Sequence, residues 1–240
     1  MQQRRSGDRI VSVSFSGIDG AGKSTQIEAL RATAGQMGLS VQVIRFWDDI
    51  ACLTRLRETS GHKIFKGDNG IGSPERPINR RDKNVRSWPM ACVRLFLYSL
   101  DALSTRRAAR NAAGSGADLV IFDRYMYDEF ANLTLSNPLV RLFIRLVMMV
   151  APRPDVSCIL DADPVAARSR KPEYPLEFIY INRRAYHDLS ALLGGMTVIP
   201  PLPIEAVKQE VRRHVLAALP QSRLAQSAPA VEEPGERPAA

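Results

Sequence analysis

The residues best equipped for chemistry are the nine from Gly17 to Thr25, Gly-Ile-Asp-Gly-Ala-Gly-Lys-Ser-Thr. They satisfy G-x-x-x-x-G-K-[ST], the pattern of a loop that wraps polyphosphate. Its glycines let the backbone approach closely, and the amides opening the following helix point at the anion. Gly17, Ile18, Asp19, Gly20, Ala21, Gly22, Lys23, Ser24 and Thr25 are therefore the expected phosphate-binding set. Lys23 adds a cation for the β- and γ-phosphates, and the Ser24 hydroxyl is a ligand for Mg²⁺. The context fits. Ile10–Phe15 alternates and is rich in β-branched residues, as a strand is, and Ile27, Leu30, Ala34 and Met37 recur on one helical face. The pattern predicts binding of a nucleoside triphosphate.

Two further clusters fit the same chemistry. Leu119–Phe122 is a continuous apolar run, the mark of a strand buried on both faces, and it ends in Asp123-Arg124-Tyr125. The C-terminal ends of parallel strands line the ligand crevice, so Asp123 is placed to approach the metal and Arg124 to fork onto phosphate oxygens. Further on, Arg168, Arg170 and Lys171 crowd the end of a short helix just before Pro172, which must break it. Phosphoryl transfer depends on positioning and charge neutralisation, and a mobile arginine contributes about 10³–10⁵ in rate. Residues 166–176 are accordingly expected to form a lid.

The elements that must hold these groups alternate between strand and helix patterns, the rhythm of a three-layer α/β/α domain around a parallel sheet. Val41–Phe46, Val156–Leu160 and Met196–Ile199 complete five predicted strands. A long helix is expected over about Met90–Arg110, with Val93, Phe96, Leu97, Leu100 and Leu103 on its apolar face and Arg94, Tyr98 and Asp101 opposite. Tyr127–Val150 reads as helical with a break at Asn137-Pro138, and Asp163-Pro164 is a good helix start. Helices are also expected over Leu176–Leu193 and after Pro203, the latter with Ile204, Val207, Val211 and Val215 on one face. Residues 47–89, rich in glycine and proline, are expected to form an insertion and 221–240 a disordered tail, leaving one expected domain over 1–220.

The bulk properties exclude several classes. The chain has 240 residues, is 45% hydrophobic and 24% charged, and carries a net charge of +8 without a polybasic run. The positive balance favours anionic small ligands over nucleic acid. Cys52, Cys92 and Cys158 are widely spaced and odd in number, which argues against a disulfide framework or a structural zinc site and for reduced thiols in the cytoplasm. The apolar run Leu139–Val150 is too short to span a bilayer and carries Arg141 and Arg145, so a core helix or subunit interface is expected, not a membrane anchor. The basic N-terminus has no seven-residue apolar core before the first strand, so no secretory signal is expected there.

Taken in order, Phe15–Gln26 (F-S-G-I-D-G-A-G-K-S-T-Q), Asp123-Arg124-Tyr125, Pro154–Pro164 (ending L-D-A-D-P), Tyr174–Phe178 and Asn182–His187 resemble the thymidylate kinases over about Val11–Ile199. The resemblance implies a P-loop nucleoside-monophosphate kinase with ATP and Mg²⁺, dTMP as the leading acceptor, a five-stranded parallel sheet, a lid and a homodimer. It implies that Asp19 faces the acceptor sugar and that Arg124 bridges acceptor and donor phosphates. With Gly20 where other members carry a loop arginine, it implies a catalytic arginine from the lid, Arg170 first and Arg168 second. The departures lie at the acceptor. The family's R-E-P-G-G-T-like segment is replaced by Arg45-Phe-Trp-Asp-Asp49, and the arginine expected to read the base falls on Ala102. Tyr98 can still stack on a base, and Arg94, one turn earlier, is the substitute reader. Tyr127-Asp128-Glu129 adds negative charge, and Asn79–Lys83 adds basic groups. A kinase acting on a free nucleoside or another small metabolite, with Asp48, Asp49, Asp128 or Glu129 near the acceptor hydroxyl, is the alternative. A nucleic-acid-binding regulator is a further one.

Overall fold

The computed structural model describes residues 10–51 and 88–220. Five strands form one parallel sheet: β1 (Val11–Ser16), β2 (Val41–Arg45), β3 (Leu119–Asp123), β4 (Val156–Leu160) and β5 (Thr197–Ile199). Their order is β2-β3-β1-β4-β5, so β1 is central and its C-terminal end feeds the glycine loop. Registers pair Phe15 with both Asp123 and Cys158, which brings the ends of three strands level at the site.

The alternation in β1 sorts two buried faces instead of separating core from water. Val11, Val13 and Phe15 join the core under α1 (Lys23–Gln36), while Ser14 and Ser16 are equally buried on the other side. The side chains buried beneath α1 are the predicted Ile27, Leu30 and Ala34; Met37 caps the helix instead of extending it. The last helix, labelled α7 below (Ile204–Ala218), closes the same layer with Val211 and Val215, whereas Ile204 stays exposed.

The opposite layer holds α2 (Trp88–Gly114), α3 (Met126–Phe130), α4 (Pro138–Val150), α5 (Pro164–Arg170) and α6 (Leu176–Leu193). After β2 the chain tightens into a π-helical turn, Phe46–Ile50, because the Asp49 carboxylate accepts the Arg45 amide at 2.7 Å. The expected strand therefore loses Phe46, which is buried in the core. Asn137 and Asp163 cap α4 and α5 with their side chains, accepting from Leu139 N and Ala166 N, and each is followed by proline as first helical residue.

The long helix presents its faces the other way round from a simple apolar-in reading. Tyr98, Asp101, Ala102 and Thr105 are buried, while Val93, Phe96 and Leu103 are exposed. Tyr98 meets Phe130 edge-on with centroids 6.3 Å apart, Ala102 allows close approach, and Thr105 donates to the Asp101 carbonyl. Apolar periodicity locates a face that avoids water without saying which surface covers it.

Cys158 is buried in the sheet, where desolvation pushes its thiol up to about 12, and Cys92 is exposed. Cys52, most of the 47–89 insertion with Asn79–Lys83, and the 221–240 tail lie outside the described residues. Among the described residues no helix is long and apolar enough to cross a membrane.

Candidate active site

The glycine loop is built by backbone conformations that side chains resist. Gly17 and Gly20 have φ of 141° and 82°, and a Cβ on either would strike a carbonyl oxygen, that of Leu160 at 2.4 Å or of Ala167 at 2.3 Å. The loop is thus wedged between the end of β4 and helix α5. Gly22, at φ 91°, opens α1. Lys23 folds back over the loop and donates to the carbonyls of Gly17 and Ile18 at 2.7 and 2.9 Å. Its burial pulls the ammonium down to about 8; Arg124 and Lys171 add to this, and Asp128 and Asp19 oppose it. Ser24 and Thr25 are exposed on the first turn of α1.

Arg124 follows β3 in the left-handed region, φ 68°, alone among non-glycine residues described. Its amide donates to the Phe15 carbonyl, and its guanidinium donates to Asp19 Oδ1 at 2.6 Å and lies 3.9 Å from Asp128 Oδ1. Backbone strain of this kind persists where surrounding contacts over-determine it, and it concentrates at functional sites. Asp19 Oδ1 also lies 4.0 Å from Lys23 Nζ and 3.8 Å from Lys171 Nζ. Burial alone would raise the Asp19 carboxyl, but Arg124, Lys23 and Lys171 outweigh it and hold it at about 2.

Asp128 is the buried junction behind these groups. Its Oδ2 accepts from Ser16 Oγ at 2.5 Å and from the Tyr125 amide at 3.1 Å, and its Oδ1 accepts from Tyr186 Oη at 2.8 Å. Burial, first, and the Asp128 charge push the Tyr186 phenol well above its ordinary value, so it stays a donor. One carboxylate therefore ties β1, α3 and α6 together. A cavity opens beside it, lined by Asp19, Arg124, Asp128, Asn132, Phe178 and Tyr186 among others.

The structure brings the glycine loop, Asp123 and Arg124 to one edge of the sheet, as strand order requires. Tyr98 and Arg94 are not among the residues lining the cavity; Tyr98 is taken up by the core. Arg170 is exposed and Arg168 half-buried at the end of α5, and Lys171, just beyond it, pairs with Asp19 of the loop. Sequence reasoning passed over Asn132, Phe178 and Asn182, which line the cavity. The spacing of Phe178, Asn182 and Tyr186, four residues apart on one helical face, was the available signal.

The Ser24 hydroxyl and the Asp123 carboxylate, at the end of β3, offer hard oxygen donors at this edge of the sheet, so a metal here would take them with phosphate oxygens completing the shell. That is how Mg²⁺ is commonly held beside phosphates. At the other side of the site, Arg183 donates twice to Asp161, at 2.6 Å each, with His187 Nε2 3.4 Å away, locking α6 to the end of β4.

No family model matches the chain. A protein of Archaeoglobus fulgidus named probable thymidylate kinase is 26% identical over 208 residues, covering 84% of this chain and 92% of its own length. The thymidylate kinase of Bifidobacterium longum strain DJO10A is 30% identical over 161 residues, 66% of this chain and 69% of that protein. Among solved structures, the thymidylate kinase of Ehrlichia chaffeensis superposes with a TM-score of 0.53 at 22% identity, over 85% of this chain and 96% of that one, which is a likeness of fold. On the identity and coverage of these relatives, the chain belongs to the thymidylate kinase family.

Proposed function

We propose that this protein is an ATP-dependent nucleoside-monophosphate kinase that transfers the γ-phosphoryl group to dTMP or a closely related monophosphate. The observation that carries this reading is Arg124, held by a strained backbone 2.6 Å from the Asp19 carboxylate of the phosphate loop. An arginine fixed there reaches donor and acceptor phosphates together. The loop amides and Lys23 hold the donor; Ser24 and Asp123 would hold Mg²⁺, which supplies charge neutralisation at the phosphates. Asp19 meets the acceptor sugar. The lid supplies further positive charge, from among Arg168, Arg170 and Lys171. Asn132 and Asn182 supply the cavity's amide side chains, beside the Tyr174 and Tyr186 phenols, and Arg94 and Tyr98 are not among its lining residues.

The family resemblance supports a homodimer, and so does the surface. Leu139, Leu142, Leu146 and Met149 form an exposed stripe at spacings of three and four along α4, which packs beside α2 with its exposed Val93, Phe96 and Leu103. A second copy of this chain is the partner that stripe fits.

Purified protein with Mg-ATP and a panel of nucleoside monophosphates and nucleosides tests the activity by ADP release and product identity. Turnover of dTMP, lost in Lys23→Ala and Arg124→Ala, is the expected result. Turnover of a free nucleoside and of no monophosphate would replace it with the alternative kinase.

A further inference from the structure

The expected lid carries three cations, and among the described residues Lys171 alone of the three forms an ion pair with the phosphate loop. Arg170 is exposed and Arg168 half-buried, and neither pairs with a carboxylate among the described residues. Lys171 Nζ lies 3.8 Å from Asp19 Oδ1 and 3.2 Å from Glu173 Oε1. Gly20 packs so tightly on the Ala167 carbonyl that no side chain fits between them, and the Lys171 amide caps α5 by donating to that same carbonyl at 3.0 Å. The C-terminal end of α5, and Lys171 just beyond it, therefore sits against the loop.

The charges around Asp19 point the same way. Lys23, Arg124 and Lys171 all lie within 4.0 Å of one carboxylate oxygen. Three cations repel one another, and a single negative charge offsets this incompletely. A group bearing several negative oxygens competes well for all three.

We propose that Lys171, not a lid arginine, is the catalytic lid cation: it pairs with Asp19 and transfers to the phosphoryl group in flight when substrates bind. This rests on the kinase reading. In the step itself the bond from the γ-phosphorus to the bridging oxygen of the departing ADP breaks, and a bond forms to a phosphate oxygen of the acceptor monophosphate. Lys171 stays an ammonium throughout and exchanges no proton; it offsets charge on the transferring oxygens.

Steady-state kinetics on the full chain, with saturating Mg-ATP and dTMP, test it through Lys171→Met and Lys171→Arg. Removing a preorganised charge of this kind costs about a hundredfold or more in kcat. Lys171→Met is expected to show that loss with KM for dTMP changed less than about threefold, and Lys171→Arg to recover most of it. A methionine variant within about threefold of wild-type kcat would overturn the assignment, as would an arginine variant equally impaired. Lys171 is half-exposed, so both variants are expected to melt with the wild type.

A second readout needs no acceptor. Tripolyphosphate binding, followed by calorimetry, is expected to weaken at least about fivefold in Lys171→Met. Unchanged affinity would overturn the proposal. Wild-type protein that binds tripolyphosphate yet turns over no monophosphate would sink the kinase reading, and the binding comparison would then decide the role of Lys171 alone.

Discussion

Lys23 sits where burial and phosphate chemistry pull in opposite directions. Desolvation lowers it from an ordinary 10.5 to about 8. Between those values the unfolded chain holds a proton that the folded protein has released, so this group's contribution to stability rises with pH across the window. Function moves the other way, because the charge leaves the phosphate site above about pH 8. We expect kcat/KM for ATP, which reports the free enzyme, to fall above that pH while kcat stays flat further, since bound phosphates keep the proton on. A pH–rate profile level to about pH 10 would show an unperturbed lysine. Arg124 gives a second prediction. Ala and Gly variants both lose the guanidinium and are expected to drop kcat at least about a hundredfold. Their stabilities differ, however: at φ 68° the glycine variant is expected to be about 1 kcal/mol the more stable by denaturant unfolding, because a Cβ costs about that much in the left-handed region. The reverse order would mean that the strain belongs to the guanidinium contacts and not to the fold.

At the scale of elements, the contact between the glycine loop and α5 decides the most. Gly20→Ala places a methyl group 2.3 Å from the Ala167 carbonyl oxygen at a φ that disfavours any side chain, so either the loop or the lid helix must move. The expected cost is about 2 kcal/mol or more in stability, read as a lower Tm, with kcat/KM for ATP reduced as the loop is displaced. A variant with unaltered melting and kinetics would mean that α5 yields freely. Helix α2 shows the limit of reading a face from its pattern. Its periodicity is plain in the sequence, but Tyr98 and Ala102 went inward because Phe130 offered an aromatic edge and little room. The candidate base-stacking residue became a core residue by the same packing.

For the whole molecule, an apolar stripe left in water would be costly. Leu142 and Leu146 on α4 are each about half exposed, at 52%, and a second copy covering that face would bury them. Leu142→Glu with Leu146→Glu is expected to turn a dimer into a folded monomer by sedimentation equilibrium. A monomeric wild type would remove the homodimer from the functional reading. The two layers about the sheet also differ in purpose. The layer of α1 and α7 packs mainly apolar side chains on the sheet, whereas the other joins Ser16, Asp128 and Tyr186 by buried hydrogen bonds that link β1, α3 and α6.

The sequence by itself determined the donor half of this protein. The glycine loop, the strand before it and the Asp123-Arg124 pair are local in the chain, and a parallel sheet must bring strand ends to one edge, so their meeting follows from pattern alone. All five strands, α6 to its ends, and the proline-started α4 and α5 were legible for the same reason: caps, prolines and apolar runs act within a few residues. The tertiary structure alone decided the rest. Asp128 reads in the chain as added negative charge near the acceptor, yet its oxygens are taken by Ser16, the Tyr125 amide and Tyr186, partners up to 112 positions away. Lys171, just beyond α5, comes within 3.8 Å of Asp19 where α5 packs its Ala167 carbonyl against Gly20, a contact between segments far apart in the chain. Such choices turn on ångström-scale packing between distant segments, and residue types and spacings carry no record of it.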